Sequence, residues 1–409
     1  MVTGGQTSTA QTPRAFSVDA IVDSVRGMRL LHTSDWHVGK TIRGRSRHEE
    51  HVAVLGEIVS IADTHDVDVV IVAGDLFESA APTPESEALV YETLLQLSEH
   101  AEEVVVIAGN HDNPRRLNAV APLLALGNVT VLTDAASPDA GGFRRLTIGT
   151  ETLNLALLPF VSQRGIVRAA ALMEGAAFEH ANAYADRLRI LIEHLTAGFD
   201  SDSVNVVVAH GFVFGGTAGG GERAAHLVDE YGLTAQAFPS TASYVALGHL
   251  HRPQKIPGGA PIHYCGSPLQ LDFGEQRQAK QVNVVDLEPG APAKVTKAPL
   301  SSGRGLRTIS GTLAALREER DEVEGQWLRV RVDEPRRPDL ADDVRALLGD
   351  GVVDVEVIHE SDAAPVVQER RLGRDPLIAF GEYLEELGVD DQRLTNMFVE
   401  LLEDDEVRG

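Results

Sequence analysis

Residues 67–79, VDVVIVAGDLFES, decide the fold. The β-branched run from Val69 to Val72 is too short for an independent helix and too apolar for a loop. It reads as a buried strand, and Gly74-Asp75 closes it with a turn and a carboxylate. The same texture returns in MRLLHTS (28–34) and EVVVIAGN (103–110), and later in VNVVVAHG (204–211) and SYVALGH (243–249). Between the first three runs, residues 48–65 and 83–99 space their apolar positions as helices do, supplying the crossovers that parallel strands require. ALGNVTVLTD (125–134), RRLTIGT (144–150) and TLNLALLP (152–159) add strands, the last two as a hairpin around Gly149, before a helical insert over 165–197. The expectation is an α/β layered domain whose functional groups gather beyond the carboxyl ends of its strands.

Past VNVVDL (282–287) the chain turns to Pro, Gly, Ala and Ser through 305, which marks a boundary. A strand over 326–333, a helix over 339–348 and a strand over 352–359 then form a small module. After a polar stretch, Leu377, Phe380, Leu384 and Leu387 share one helical face, and Leu394, Met397, Phe398, Leu401 and Leu402 share another. These faces pack on each other or receive a partner helix. The first 27 residues are small and polar and read as a disordered extension, with Met28 as an alternative start.

The 409 residues carry 36 basic and 61 acidic side chains, a formal charge of −25, with 43% apolar residues, a composition that excludes disordered and fibrous classes. The one cysteine, Cys265, cannot form an intrachain disulfide, and no segment approaches the roughly 18 apolar residues of a membrane span. A soluble, cytoplasmic protein of two or three domains is expected. Net acidity argues against nucleic-acid binding, which rests on Lys and Arg neutralising phosphates. Charge is nevertheless uneven: Lys40, Arg43, Arg45 and Arg47 cluster, Arg115 and Arg116 adjoin, and the last forty residues are acidic. These basic residues are either phosphate contacts or a solvated approach to a helix.

Five strand ends carry donor side chains: Asp35 and His37, then Asp75, then Asn110, His111 and Asp112, then His210, then His249 and His251. Carboxylate, amide and imidazole without thiolate suit two divalent ions of the Mn²⁺, Fe²⁺ or Zn²⁺ type rather than a structural zinc. Each fragment alone has an ordinary structural explanation. Five in one order, all at strand ends, do not.

The order DxH, GD, GNHD, H, GHxH resembles the calcineurin-like metallophosphoesterase superfamily over residues 28–287. LLHTSDWHVGK, IVAGDLFESAAPT, AGNHDNPRRL, YVALGHLHRPQ and HYCGSPLQLDFGE narrow the likeness to the SbcD family, the nuclease subunits of bacterial SbcCD complexes. The resemblance implies a layered β-sandwich flanked by helices, with a small α+β capping domain and C-terminal helices. It divides the chain into an extension (1–27), a nuclease domain (28–300), a capping domain (301–360), a linker (361–374) and a helical partner-binding element (375–405). Asp35, His37, Asp75 and His251 would hold one metal, and Asp75, Asn110, His210 and His249 the other. Two Mn²⁺ are the implied cofactors. His111 would stabilise phosphate charge and protonate the leaving oxygen, with Asp112 orienting its imidazole. The implied partners are DNA, a second copy of the chain and the SbcC ATPase, docked on the C-terminal helices in a heterotetramer, and the implied location is cytoplasmic and nucleoid-associated. The implied activities are 3′ to 5′ exonuclease on duplex DNA and endonuclease on single strands and hairpins, in repair and recombination. Archaeal relatives carry histidine where this chain has Glu78, so no imidazole role transfers there, and a structural part is expected of it.

Two other readings compete. A small-molecule phosphodiesterase or phosphatase would share GNHD and GHxH, although the chain lacks the GDxxDRG arginine of protein phosphatases and carries modules a small substrate does not need. A non-catalytic scaffold would have lost ligands, and none is missing.

Overall fold

The structure is a computed structural model that describes residues 27–162, 165–166, 184–222 and 232–358, together with Phe380, Leu384, Leu394 and Phe398. The expected extension up to residue 26, the expected linker and most of the C-terminal helical element lie outside the described residues. Of that element, the Phe380 and Phe398 rings stack with centroids 4.0 Å apart. No helix among the described residues is long and apolar enough to cross a membrane.

Two six-stranded sheets pack face to face. The first runs Lys294–Pro299, Gln281–Leu287, Met28–Thr33, Val69–Ala73, Glu103–Ile107, Val129–Leu132. The second runs Gln254–Ile256, Ile262–Tyr264, Tyr244–Gly248, Val204–His210, Glu151–Leu158, Phe143–Ile148. Met28–Thr33, Val69–Ala73, Glu103–Ile107 and Val129–Leu132 are mutually parallel, as are Glu151–Leu158, Val204–His210 and Tyr244–Gly248.

The uninterrupted apolar runs follow from burial on both faces. Val69, Ile71 and Ala73 point into the sandwich, where they meet Val204, Val206 and Val208 of the facing sheet. Their alternates Val70 and Val72 lie under the helices His48–Thr64, Pro84–Glu99 and Pro114–Leu124. Val207, Ala209, Val245 and Leu247 face the other way, toward the helix Tyr184–Leu195. Two of these helices begin where proline at the first helical position meets a capping side chain: Thr83 accepts from Ser86 N, and Asn113 from Arg115 N and Arg116 N.

Leu306–Gly311, Trp327–Val332 and Val352–Val357 form a separate parallel sheet, with helices Leu313–Glu318 and Leu340–Leu348 against it. Its own core contains Ile309, Leu316, Leu328, Val330, Val332 and Val344. Four strands of these three sheets had no signature in the sequence, and two of them, Gln254–Ile256 and Ile262–Tyr264, are only three residues long. Lys294–Pro299 is an edge with only Ala298 buried, and Leu306–Gly311 buries only Leu306 and Ile309, so neither shows an apolar run.

The small module is bonded to the sandwich through a buried charge pair. Arg47 is 1% exposed; its Nε and Nη2 donate to Glu50 at 3.1 and 2.7 Å, and its Nη1 donates to the Gln270 carbonyl. Glu50 also accepts from Trp327 Nε1 at 2.8 Å and from Arg304 N at 2.7 Å, and Arg304 lies 3.8 Å over the Trp327 ring. Ile42, Phe273, Leu306 and Trp327 form an apolar cluster beside it. Arg47 is therefore not a DNA contact: its guanidinium is spent inside the protein, joining the two bodies.

Candidate metal centre

Each donor sits one to four residues beyond, or at, the carboxyl end of a strand, so the sandwich brings five strand ends to one edge. Backbone bonds extend the ladder past the strands: Asp35 N donates to Gly74 O at 2.9 Å, His37 N to Asp75 O at 3.1 Å, and Gly211 N to Gly248 O at 3.2 Å. Asp35, His37 and His251 bring ligand atoms within 4.8 Å of one another, as do Asp75, His210 and His249. Asp75 lies between the sets, its Oδ2 3.6 Å from His37 Nε2 and 3.4 Å from His210 Nε2. Asn110 Oδ1 stands 3.1 Å from His210 Nε2 and 2.9 Å from His249 Nδ1.

Three imidazoles are oriented in one manner. His37 Nδ1 donates to Glu78 Oε2 at 3.0 Å, His210 Nδ1 to the Ala73 carbonyl at 2.7 Å, and His251 Nδ1 to Glu275 Oε1 at 3.0 Å. In each neutral ring that bond fixes the proton outward and presents the Nε2 lone pair inward, the arrangement characteristic of metal-ligating histidine. His37 Nε2 and His251 Nε2 meet at 3.1 Å. Two lone pairs so close require a positive charge between them, a proton or a cation. Donors about 3 Å apart are also what ligands at roughly 2.1 Å from a shared ion show, so the residues fit divalent metals.

The backbone is strained at the donor residues themselves. Asp35, His37, Asp75 and His249 have φ of 54°, 48°, 55° and 105°, a region that costs non-glycine residues on the order of 1–3 kcal/mol each. Glycines give the room this needs. A Cβ on Gly109 would stand 2.1 Å from Asp75 Oδ1, and one on Gly248 1.9 Å from the Ala73 carbonyl that holds His210.

Electrostatics couple the donors. Burial pushes the Asp75 carboxyl up, but His210, His37 and His111 outweigh it and hold it well below the usual carboxylate range. Burial pushes His210 down, yet Asp75 and then Asp35 raise it to about 9. Burial is also countered at His251, which Glu275 raises above its ordinary value. The stabilisation that the His210 proton gives the metal-free fold is complete below the ordinary histidine value of 6.5 and is lost as pH rises through about 9. Metal needs the bare nitrogen, so affinity should climb over that same window. Titration calorimetry with Mn²⁺ at pH 7 should give heats that differ between buffers of different ionisation enthalpy, reporting proton release. Buffer-independent heats would contradict this ligand set.

Asp112 departs from expectation. Its carboxylate accepts from Phe77 N at 3.1 Å and Gly109 N at 2.8 Å, clamping two turns together, while His111 Nδ1 donates to the Glu78 carbonyl at 2.7 Å. Asp112 therefore braces the loops and does not orient the imidazole; burial, then Asp75, raise it to about 6. His111 lies beside the ligands, 4.6 Å from His37 between ring centroids, and its backbone N–H donates to Asp75 Oδ1 at 2.8 Å.

Glu78 is more than loop structure. It holds His37 and accepts from Lys40 Nζ at 2.8 Å, and these two outweigh burial to hold its carboxyl at about 2. Glu275 had no assigned role, because an outer carboxylate leaves no local pattern, although it ends the HYCGSPLQLDFGE stretch. The glycine-rich stretch after His210 is also engaged: Gly219 N and Gly220 N donate to Glu222, which accepts from His251 N at 2.9 Å. Of the basic residues, Arg43 pairs with Asp354 of the small module at 3.0 Å and Arg116 with Glu87 at 2.7 Å, while Arg45 and Arg115 are exposed.

A model of the calcineurin-like phosphoesterase family matches residues 28–253. The SbcD component of the SbcCD nuclease of Bacillus subtilis is 36% identical over 322 residues, covering 75% of this chain and 79% of that one. The SbcD of Escherichia coli K12 is 30% identical over 382 residues, covering 89% and 91%. The SbcD of Rhodobacter capsulatus is 31% identical over 333 residues, covering 75% and 81%.

Proposed function

Since the chain belongs to the calcineurin-like phosphoesterase family and, within it, to the SbcD nucleases, we propose that it cleaves DNA phosphodiesters with two Mn²⁺ ions as the nuclease partner of an SbcC ATPase. The activities are those of a 3′ to 5′ exonuclease on duplex DNA and an endonuclease on single strands and hairpins, serving repair and recombination in the nucleoid. The observation that carries this is the set of three imidazoles with Nδ1 tied outward and Nε2 turned inward, those of His37 and His210 beside Asp75 and that of His251 against His37.

Asp35, His37, Asp75 and His251 would hold one ion and Asp75, Asn110, His210 and His249 the other, with Asp75 shared. Such a pair supplies a nucleophile at neutral pH and neutralises charge on the phosphate. The protein's own residues supply the rest. The Glu78 carbonyl accepts from His111 Nδ1, so the ring acts as an acid in its imidazolium form, giving the Nε2 proton to the leaving oxygen and keeping the Nδ1–H. Lys40, Arg45 and Arg115 meet the DNA backbone, and the module of residues 301–360 caps the metal centre. The helices Pro84–Glu99 and Pro114–Leu124 pair with a second copy, an assignment supported by exposed Leu95 and Leu123. The C-terminal helical element, which lies outside the described residues for the most part, receives SbcC.

Cleavage of a labelled hairpin in Mn²⁺, with and without SbcC and ATP, tests the reading. His111→Asn should lose roughly 100-fold or more on DNA, the usual worth of a general acid. It should retain two bound Mn²⁺ and recover most of its rate on a nitrophenyl phosphodiester, whose leaving group needs no proton. Turnover of the small ester with no DNA cutting under any condition would overturn the nuclease assignment.

A further inference from the structure

Three groups hold the outer nitrogens of His37, His210 and His251, and they differ in what stands behind them. Glu78 is part-exposed and the Ala73 carbonyl is backbone, whereas Glu275 is 0% exposed and belongs to a buried network. Its Oε2 accepts from Lys280 Nζ at 2.6 Å and Leu271 N at 3.1 Å. Lys280 donates further to Ser267 Oγ at 2.8 Å and to the His251 carbonyl at 3.0 Å, so the same ammonium fixes His251 from its backbone side. The carboxylate is thus held at one oxygen and orients the imidazole with the other.

The segment bearing Glu275 is hydrogen-bonded to the small module. Gln270 Oε1 accepts from Leu306 N at 2.7 Å and Gln276 Oε1 from Thr308 N at 2.8 Å, both on the module's first strand. Between them Phe273 packs with Leu306 and Trp327, under the Arg329 guanidinium at 4.4 Å. The side chain seated on the module is therefore only two positions from the one that orients His251.

We propose that Glu275 is the positioning residue for His251 and that the Gln270–Gln276 segment makes its placement depend on the seating of the small module. Loosening the module from Phe273 shifts the Glu275 carboxylate, frees the His251 ring to rotate and weakens the ion set that includes His251. This rests on the two-metal reading above, and DNA pressing on the module would act on the metal centre through the same link.

The test is Mn²⁺ binding to the full-length protein, followed by the electron paramagnetic resonance signal of free Mn²⁺, for the unaltered chain, Glu275→Ala, Glu275→Gln and Phe273→Ala. Glu275→Ala should weaken one of two sites by roughly 10- to 100-fold, the usual effect of removing an outer partner. Glu275→Gln keeps an oxygen for Nδ1–H and should recover part of that loss. Phe273→Ala, which touches no ligand, should weaken the same site, and nitrogen-15 spectra of its histidines should show the His251 ring losing its single tautomer. Fewer than two ions on the unaltered chain would overturn the metal reading itself. Two ions there, with unchanged affinity in Glu275→Ala or in Phe273→Ala, would overturn this inference alone. If Glu275→Ala fails to fold, Glu275→Gln and Phe273→Ala decide by the same affinities.

Discussion

Asp75→Asn should cut DNA cleavage by at least about 1,000-fold, roughly 4 kcal/mol of transition-state stabilisation, while leaving the fold in place. Asparagine keeps an oxygen for the His111 backbone N–H that Asp75 Oδ1 now receives, so the turn has no reason to open. What disappears is the negative charge between His37 and His210, at 3.6 and 3.4 Å. Without it the His210 imidazolium loses the partner that raises it to about 9, and its pKa should fall toward or below the ordinary 6.5. Initial rates on a labelled hairpin, Mn²⁺ stoichiometry and a histidine NMR titration read the three consequences separately. A variant that keeps two tight ions and a normal rate would remove Asp75 from its shared position.

Glu50→Ala should be the most damaging change away from the metal centre, by about 3–5 kcal/mol. The Arg47 guanidinium has no exposed side-chain surface, and the substitution leaves it charged and stripped of its counter-ion. Trp327 Nε1 and Arg304 N lose their acceptor at the same stroke. Burial would raise the Glu50 carboxyl, but Arg47 outweighs it and lowers it. The carboxylate's stabilisation is therefore present above the ordinary carboxyl range and is lost as pH falls through its lowered value. Urea denaturation at pH 7 gives the magnitude. Trp327 is one of only two tryptophans, so fluorescence reports the junction with a single background from Trp36. A midpoint within experimental error of the unaltered chain would mean that the pair contributes nothing there.

The catalytic half of the chain was legible because its signals are local. A β-branched run ended by Gly-Asp or Gly-Asn-His-Asp announces both a strand and what stands beyond it, and the sheets place those ends side by side. The misread side chains each have a deciding partner distant in sequence. Arg47 looked like one of four surface cations, because nothing nearby reveals that Gln270 and Trp327 close over it. Asp112 was paired with the adjacent His111, whereas its carboxylate oxygens serve Phe77 and Gly109. Glu275 and Glu78 gained roles only when His251 and His37 were seen against them. Lys294–Pro299 and Leu306–Gly311 escaped notice because edge strands expose most of their side chains and have no apolar run to read.

The distance along the chain between facing ligands has its own consequence. His37 and His251 meet from 214 positions apart, and Asp35 reaches His249 across the same span. Contacts of such separation form late, after the entropy of closing the long loop has been overcome. A ribosome must release more than half of the protein, and both sheets must dock, before any ion has a full set of donors. A nascent chain, or one cut short before His251, therefore lacks a complete donor set and is chemically silent.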